Sequence, residues 1–149
     1  DSVKTQIHIS PTFTLPVAEG RSDLGRWYDI HIQSAQRFHR LMEHYAGYPM
    51  DDYIVDRMRA PLLRPGAEAT FERMLKQSAS PPKVGMGFCP TMALIGGRDP
   101  LLDDTRLRQL HALLPDAEIH RLASAGHFPM ETHSKALRDY LRGWIRYNG

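Results

Sequence analysis

Cysteine is almost absent from this sequence. Cys89 is the one cysteine among 149 residues, so an internal disulfide is excluded. No stretch approaches the roughly 20 consecutive apolar residues of a transmembrane helix, and no signal-peptide pattern is recognisable. These features predict a cytoplasmic protein, because a free thiol is typical of a reducing compartment.

Neither positively nor negatively charged residues are in large excess. Lys and Arg number 19 and Asp and Glu 17, which gives a net charge of +2, and the two signs are interspersed. A strongly basic chain would favour nucleic acid or a membrane surface as partner, so we expect neither. The eight histidines contain no H-x-x-x-H or H-E-x-x-H pair, so their spacing predicts no zinc site.

The composition that remains is that of a globular protein, with 42% apolar and 24% charged residues. Two short strands are predicted, at residues 92–95 and 118–122, each followed by glycine and then by a polar residue. Asp99 follows the first strand and His127 follows the second. Binding and catalytic residues are concentrated in the loops beyond the carboxyl ends of parallel strands. We therefore expect both side chains at one edge of a sheet.

A carboxylate and an imidazole at one edge have a known chemical use. The carboxylate can hold one ring nitrogen, and the other nitrogen can then accept a proton from a nucleophile. Each residue also has a simpler interpretation: Asp99 as a turn carboxylate in G-R-D-P, and His127 as a satisfied loop histidine. Their order and placement together favour the catalytic interpretation. The other seven histidines are expected to be surface or structural residues.

The order strand, G-x-x-D, helix, strand, G-H, terminal helix resembles the C-terminal half of the α/β-hydrolase family, and so does H-F-P-M-E after Gly126. In that family the triad runs nucleophile, acid, histidine along the chain. The resemblance implies an α/β fold with a parallel sheet, Asp99 as the acid and His127 as the histidine. It implies no metal and no organic cofactor.

The region before this segment predicts a strand at residues 4–10 and helices at 26–47, 51–59 and 67–77, with a Pro- and Gly-rich linker at 78–87. Residues 56–75 resemble the caps of carbon–carbon-bond hydrolases that act on ring-cleavage (meta-cleavage) products. The resemblance implies a core strand within residues 1–11, a helical cap at 12–82 and the C-terminal segment of the hydrolase core at 83–149.

The family's nucleophile elbow, G-x-S-x-G, is absent from the sequence. Two or three strands would also leave an open sheet edge and uncovered apolar faces. We therefore expect an N-terminal hydrolase fragment or subunit that carries the nucleophile and completes a heterodimer. The chain begins at Asp1 and not at Met, which fits proteolytic processing of a precursor.

The expected reaction is hydrolysis of a small, partly apolar ester, lactone or C–C substrate, or transfer of its acyl group, by a serine or by a cysteine or aspartate at the same elbow. A second hypothesis is a non-catalytic ligand-binding or structural subunit that retains the hydrolase fold. The Asp99 and His127 pair argues against this alternative, because a non-catalytic pocket does not need a carboxylate paired with an imidazole.

Overall fold

A computed structural model describes residues 3–11, 24–77 and 89–149. The described residues divide into two compact units. The first unit contains residues 3–11, 45–48 and 89–149, and the second contains residues 24–44 and 49–77. The predicted linker at 78–87 lies outside the described residues, and the assignment of residues 12–82 as a cap stays a prediction.

The first unit is built on a parallel sheet of strands β1 (Gln6–Ile9), β2 (Thr91–Gly96) and β3 (Glu118–Leu122). The strand order is β1-β2-β3, and both strand pairs are parallel. β2 lies between the other two and is buried over almost its whole length, as expected for an apolar strand of a covered parallel sheet. The predicted α/β class with a parallel sheet is confirmed.

The helices in the described residues are α1 (Leu24–His31), α2 (Ala35–Ala46), α3 (Asp52–Arg59), α4 (Ala67–Gln77), α5 (Asp104–Leu113), α6 (Pro129–Thr132) and α7 (Ser134–Asn148), with a 3₁₀-helix at Ala60–Leu63. Asp51 and Asp103 cap α3 and α5, because their carboxylates accept hydrogen bonds from backbone N–H groups of the first turn. None of the helices in the described parts of the chain combines the length and the apolar character that crossing a membrane requires.

A hydrophobic cluster links the sheet to the last helix. Leu94 of β2, Leu122 of β3, Ala125 and Leu137 of α7 are buried together, and partly buried residues such as Ile9 pack around them. Burying each leucine side chain contributes about 1.5–3 kcal/mol. Ala125 belongs to the loop that follows β3, so the cluster anchors that loop to the sheet and to α7.

The prediction of one continuous helix over residues 26–47 is wrong, because the helix is interrupted between α1 and α2. Arg59 stabilises the break. Its Nε donates to the carbonyl of Ile32 over 2.7 Å, and its Nη2 donates to the carbonyl of Gln33. These two bonds satisfy carbonyl groups at the end of α1 that have no partner within the helix.

The C-terminal helix also differs from the prediction in one residue. The apolar spacing in the sequence predicts a buried face of Leu137, Leu141, Trp144 and Ile145. Leu137 and Trp144 are buried, but Ile145 is 52% exposed. The indole Nε1 of Trp144 donates to Thr5 Oγ1 over 2.6 Å, which fixes the rotation of α7 at this turn. Ile145 lies about 100° further round the helix and therefore faces solvent.

Candidate active site

Asp99 lies in a tight turn that follows β2. Gly97 N–H donates to the carbonyl of Leu122 over 2.8 Å, and Arg98 N–H donates to the carbonyl of Ala125 over 2.9 Å, so the turn is bonded to the end of β3. A Cβ atom on Gly96 would lie 2.1 Å from the carbonyl oxygen of Gly126. Glycine is therefore required at position 96 for the two loops to approach.

A backbone hydrogen bond also holds His127. Its N–H donates to the carbonyl of Tyr45 over 2.7 Å. The preceding Gly126 packs against the end of α2, where an added Cβ would lie 2.1 Å from the carbonyl oxygen of Ala46. The loop between β3 and α6 is thus bonded to the turn after β2 and to Tyr45, and it is packed against Ala46, all within the first unit.

The two predicted site residues are in contact. His127 Nδ1 lies 2.8 Å from Asp99 Oδ2, and Asp99 Oδ1 accepts a hydrogen bond of 2.9 Å from the N–H of Leu101. The Asp99 side chain is 2% exposed and that of His127 is 17% exposed. Since a carboxylate only accepts hydrogen bonds, Nδ1 is the donor, and Nε2 of a neutral imidazole carries the free lone pair.

This geometry can perform general base chemistry. Asp99 is anchored through both carboxylate oxygens, so it fixes the position of the His127 Nδ1 atom and the tautomer of the ring. Nε2 can then accept a proton from a hydroxyl or thiol within hydrogen-bond reach and return it to a leaving group. Among the residues that the structure describes, no three His, Cys, Asp or Glu side chains form a group that could hold a metal ion.

A second polar group near His127 was missed by the sequence analysis. Ser124 Oγ lies 3.0 Å from His133 Nε2, and His133 Nδ1 lies 2.8 Å from Thr132 Oγ1. His133 had been expected to be one of the surface or structural histidines. No sequence motif joins these residues, because the contact depends on the return of the chain from β3 through α6.

A groove of about 720 Å³ lies elsewhere on the first unit. It is lined by the amino-terminal residues of β2 and β3 and by one face of α7, including Met92, His120, Tyr140 and Trp144. Neither Asp99 nor His127 lines it. The groove is therefore distinct from the candidate active site, which lies at the carboxyl ends of the strands.

A scan against protein-family models gives no match, and a search of curated protein sequences gives none either. Solved structures do match. A bacterial membrane phospholipase A is 20% identical, with a TM-score of 0.68 over 97% of this chain and 49% of that chain. An esterase from Exiguobacterium antarcticum is 10% identical, with a TM-score of 0.70 over 96% of this chain and 57% of that one.

A third solved structure, 2-hydroxy-6-oxo-6-phenylhexa-2,4-dienoate hydrolase from Rhodococcus sp. strain RHA1, is 18% identical. Its TM-score is 0.68 over 94% of this chain and 54% of that chain. The chain thus spans about half the length of these solved structures. At such identities the likeness establishes the fold and not the reaction. The chain has the α/β-hydrolase fold, and it corresponds to the C-terminal part of that fold.

Proposed function

We propose that this chain supplies the acid and the histidine of an α/β-hydrolase triad, with Asp99 as the acid and His127 as the general base. The observation that carries the proposal is the 2.8 Å contact between His127 Nδ1 and Asp99 Oδ2 at the carboxyl edge of the sheet. A buried carboxylate that is bonded on both oxygens, next to a partly exposed imidazole, is the arrangement that general base catalysis requires.

In the proposed reaction His127 Nε2 takes the proton of the nucleophile as the nucleophile attacks the carbonyl carbon of the substrate. The bond from that carbon to the leaving group then breaks, and Nε2 returns the proton to the leaving group. Water, activated by the same Nε2, releases the acyl group in the second step. Acyl transfer differs only in that another hydroxyl or thiol replaces this water.

The nucleophile of this reaction comes from outside the 149 residues. No serine here stands in a G-x-S-x-G sequence, and that elbow and the oxyanion loop precede the acid and the histidine in this family. The matched solved structures are about twice as long, which fits a further segment that completes the sheet. We propose that this segment carries the nucleophile, either on a separate N-terminal chain or on a continuous one.

The proposed substrate is a small, partly apolar ester, lactone or C–C substrate. The matched structures include esterases, a phospholipase A, a dienoate hydrolase and an enzyme that degrades N-acyl homoserine lactones. We propose the second unit as the cap of the active site. Its apolar residues support this: Trp27 and Phe71 stack at 5.7 Å with ring planes 2° apart, and Tyr28 packs on Phe71.

The test uses the protein that contains this chain together with its nucleophile segment. Hydrolysis of p-nitrophenyl acetate and butyrate and of an N-acyl homoserine lactone is measured for His127→Ala and Asp99→Asn. We expect kcat to fall by about 10³-fold or more for both variants. The matched controls are His111→Ala and Asp103→Asn, which change exposed residues of the helix α5 region and should retain activity.

A phosphonate that reacts with activated serines identifies the nucleophile by peptide mapping. We expect the labelled serine outside these 149 residues, and labelling should be slowed in His127→Ala. Full activity in both His127→Ala and Asp99→Asn would overturn the proposal. Ligand binding without turnover or labelling would favour the non-catalytic subunit instead.

A further inference from the structure

A continuous hydrogen-bonded chain runs from Ser124 to Phe128. Ser124 Oγ lies 3.0 Å from His133 Nε2, His133 Nδ1 lies 2.8 Å from Thr132 Oγ1, and Thr132 Oγ1 donates to the carbonyl of Phe128 over 3.1 Å. We call this set the Ser124–Phe128 relay. Along the sequence its two ends bracket His127, because Ser124 precedes that residue by three positions and Phe128 follows it directly.

The donors of the relay can be assigned from its chemistry. A threonine hydroxyl has one proton, and that of Thr132 is used in the bond to the Phe128 carbonyl, so Thr132 Oγ1 accepts from His133 Nδ1–H. In the neutral imidazole Nε2 is then the acceptor, and the Ser124 hydroxyl donates to it. All the bonds run in one direction, which favours mutual polarisation along the chain.

The relay reaches the His127 ring through Phe128. The Phe128 and His127 rings meet edge to face, with centroids 5.2 Å apart and planes at 71°. The Phe128 carbonyl accepts three hydrogen bonds, from the N–H groups of Glu131 and Thr132 and from Thr132 Oγ1. Since α6 has only four residues, its own backbone bonds give little rigidity, and the relay adds a connection back to the loop before His127.

We propose that Ser124 and His133 are positioning residues for His127. Asp99 fixes the Nδ1 end of the His127 ring, and the hydrogen bond to the Tyr45 carbonyl fixes the backbone N–H of His127. Neither contact limits the tilt of the ring about the Nδ1 to Oδ2 direction, whereas the contact with the Phe128 ring does. The relay holds Phe128 in place, so it sets the direction of Nε2. This inference rests on the proposed role of His127 as general base.

The experiment compares Ser124→Ala, His133→Phe and the double variant in the complete protein. His133→Phe removes both ring nitrogens and keeps a ring beside Tyr48, whose ring centroid lies 6.0 Å from that of the imidazole. We expect kcat to fall about threefold in Ser124→Ala and about tenfold in His133→Phe, with KM unchanged within about twofold. The double variant should be no slower than His133→Phe, because both changes break one chain.

Two further variants separate positioning from general loss of structure. Ser124→Thr keeps the hydroxyl and should restore kcat to within about twofold of the parent protein. Ser134→Ala changes an exposed serine next to His133 and should leave kcat unchanged. Thermal unfolding is measured for every variant, so that a fall in kcat with an unchanged Tm is attributed to the site.

An independent measurement, the ¹⁵N and ¹H NMR spectrum of the His127 imidazole, does not depend on turnover. We expect the His127 ring resonances to shift in Ser124→Ala and His133→Phe and to return in Ser124→Thr. Unchanged His127 resonances, or strictly additive losses of kcat, would overturn the positioning role. If His127→Ala itself retained activity, the proposed function would fail, and the NMR shifts would still report whether the relay orients the ring.

Discussion

Gly126 and Ala46 are packed so closely that no side chain fits between them. A Cβ atom on Gly126 would lie 2.1 Å from the Ala46 carbonyl oxygen and 2.5 Å from that of Tyr45. The Tyr45 carbonyl is also the acceptor of the His127 N–H. The glycine before the histidine is therefore required by the backbone contact that places His127, and not only by the turn.

We expect Gly126→Ala to lower both stability and activity. The methyl group meets backbone atoms, which cannot move aside as a flexible side chain would, so the loop must shift and the bond to Tyr45 must lengthen. Overpacking of this kind costs about 1–3 kcal/mol in the free energy of unfolding. Urea unfolding and the kcat for p-nitrophenyl butyrate, measured on the complete protein, check this prediction.

Gly143→Ala is the matched control for this substitution. Gly143 is exposed within α7, and an added Cβ would meet no atom within 4 Å. Alanine at an exposed helix position should stabilise the protein by about 0.5–1 kcal/mol and leave kcat unchanged. An equal stability of Gly126→Ala and the parent protein would contradict the close packing at Ala46.

Tyr28 makes the stability of the second unit sensitive to alkaline pH. Burial raises the pKa of its hydroxyl above the ordinary value of 10.0, and the nearby Glu68 carboxylate adds to the increase. The hydroxyl donates to the carbonyl of Leu62. Because the folded state holds this proton more tightly than the unfolded state, the contribution is fully present below pH 10 and is lost as pH rises above it.

We expect Tyr28→Phe to lower the free energy of unfolding by about 1 kcal/mol at pH 8, since the Leu62 carbonyl loses its partner. The difference between the variant and the parent protein should shrink as the pH is raised past the ordinary tyrosine pKa. Urea unfolding across this pH range checks the prediction. Tyr53→Phe, at a tyrosine that is 68% exposed, is the control and should show no such pH dependence. A constant difference across the range would contradict a raised pKa.

Ser10 combines two unfavourable features at the end of β1. Its φ is 45°, in the left-handed region, and its side chain is buried with no hydrogen-bond partner for Oγ among the described residues. We expect Ser10→Ala to stabilise the protein by about 1 kcal/mol, because it removes a buried polar group that has no partner. Urea unfolding of the complete protein measures the change.

Ser34→Ala provides a control of opposite sign for Ser10→Ala. Ser34 Oγ accepts a hydrogen bond from the N–H of Arg37 in the first turn of α2, so its loss should destabilise by about 0.5–1 kcal/mol. If Ser10→Ala instead lowered stability, the hydroxyl of Ser10 would be bonded to a group outside the described residues.

The sequence by itself determined the elements of the core. The apolar run of β2, the residues of β3 and the helical spacing at 51–59 and 67–77 are local patterns, and the strands and helices they predict are present. It also indicated the edge at which Asp99 and His127 lie, because each residue is in the loop after a parallel strand. Their catalytic role stays a prediction.

The tertiary structure decided what depends on residues distant in the chain. Arg59 satisfies the carbonyls between α1 and α2, and the bond from Trp144 to Thr5 turns Ile145 outward. Neither contact produces a periodic pattern in the sequence. The 2.8 Å contact of His127 with Asp99 and the Ser124–Phe128 relay are of the same kind. Hydrogen bonds between side chains depend on distances of a few tenths of an ångström, and only the packed backbone sets these.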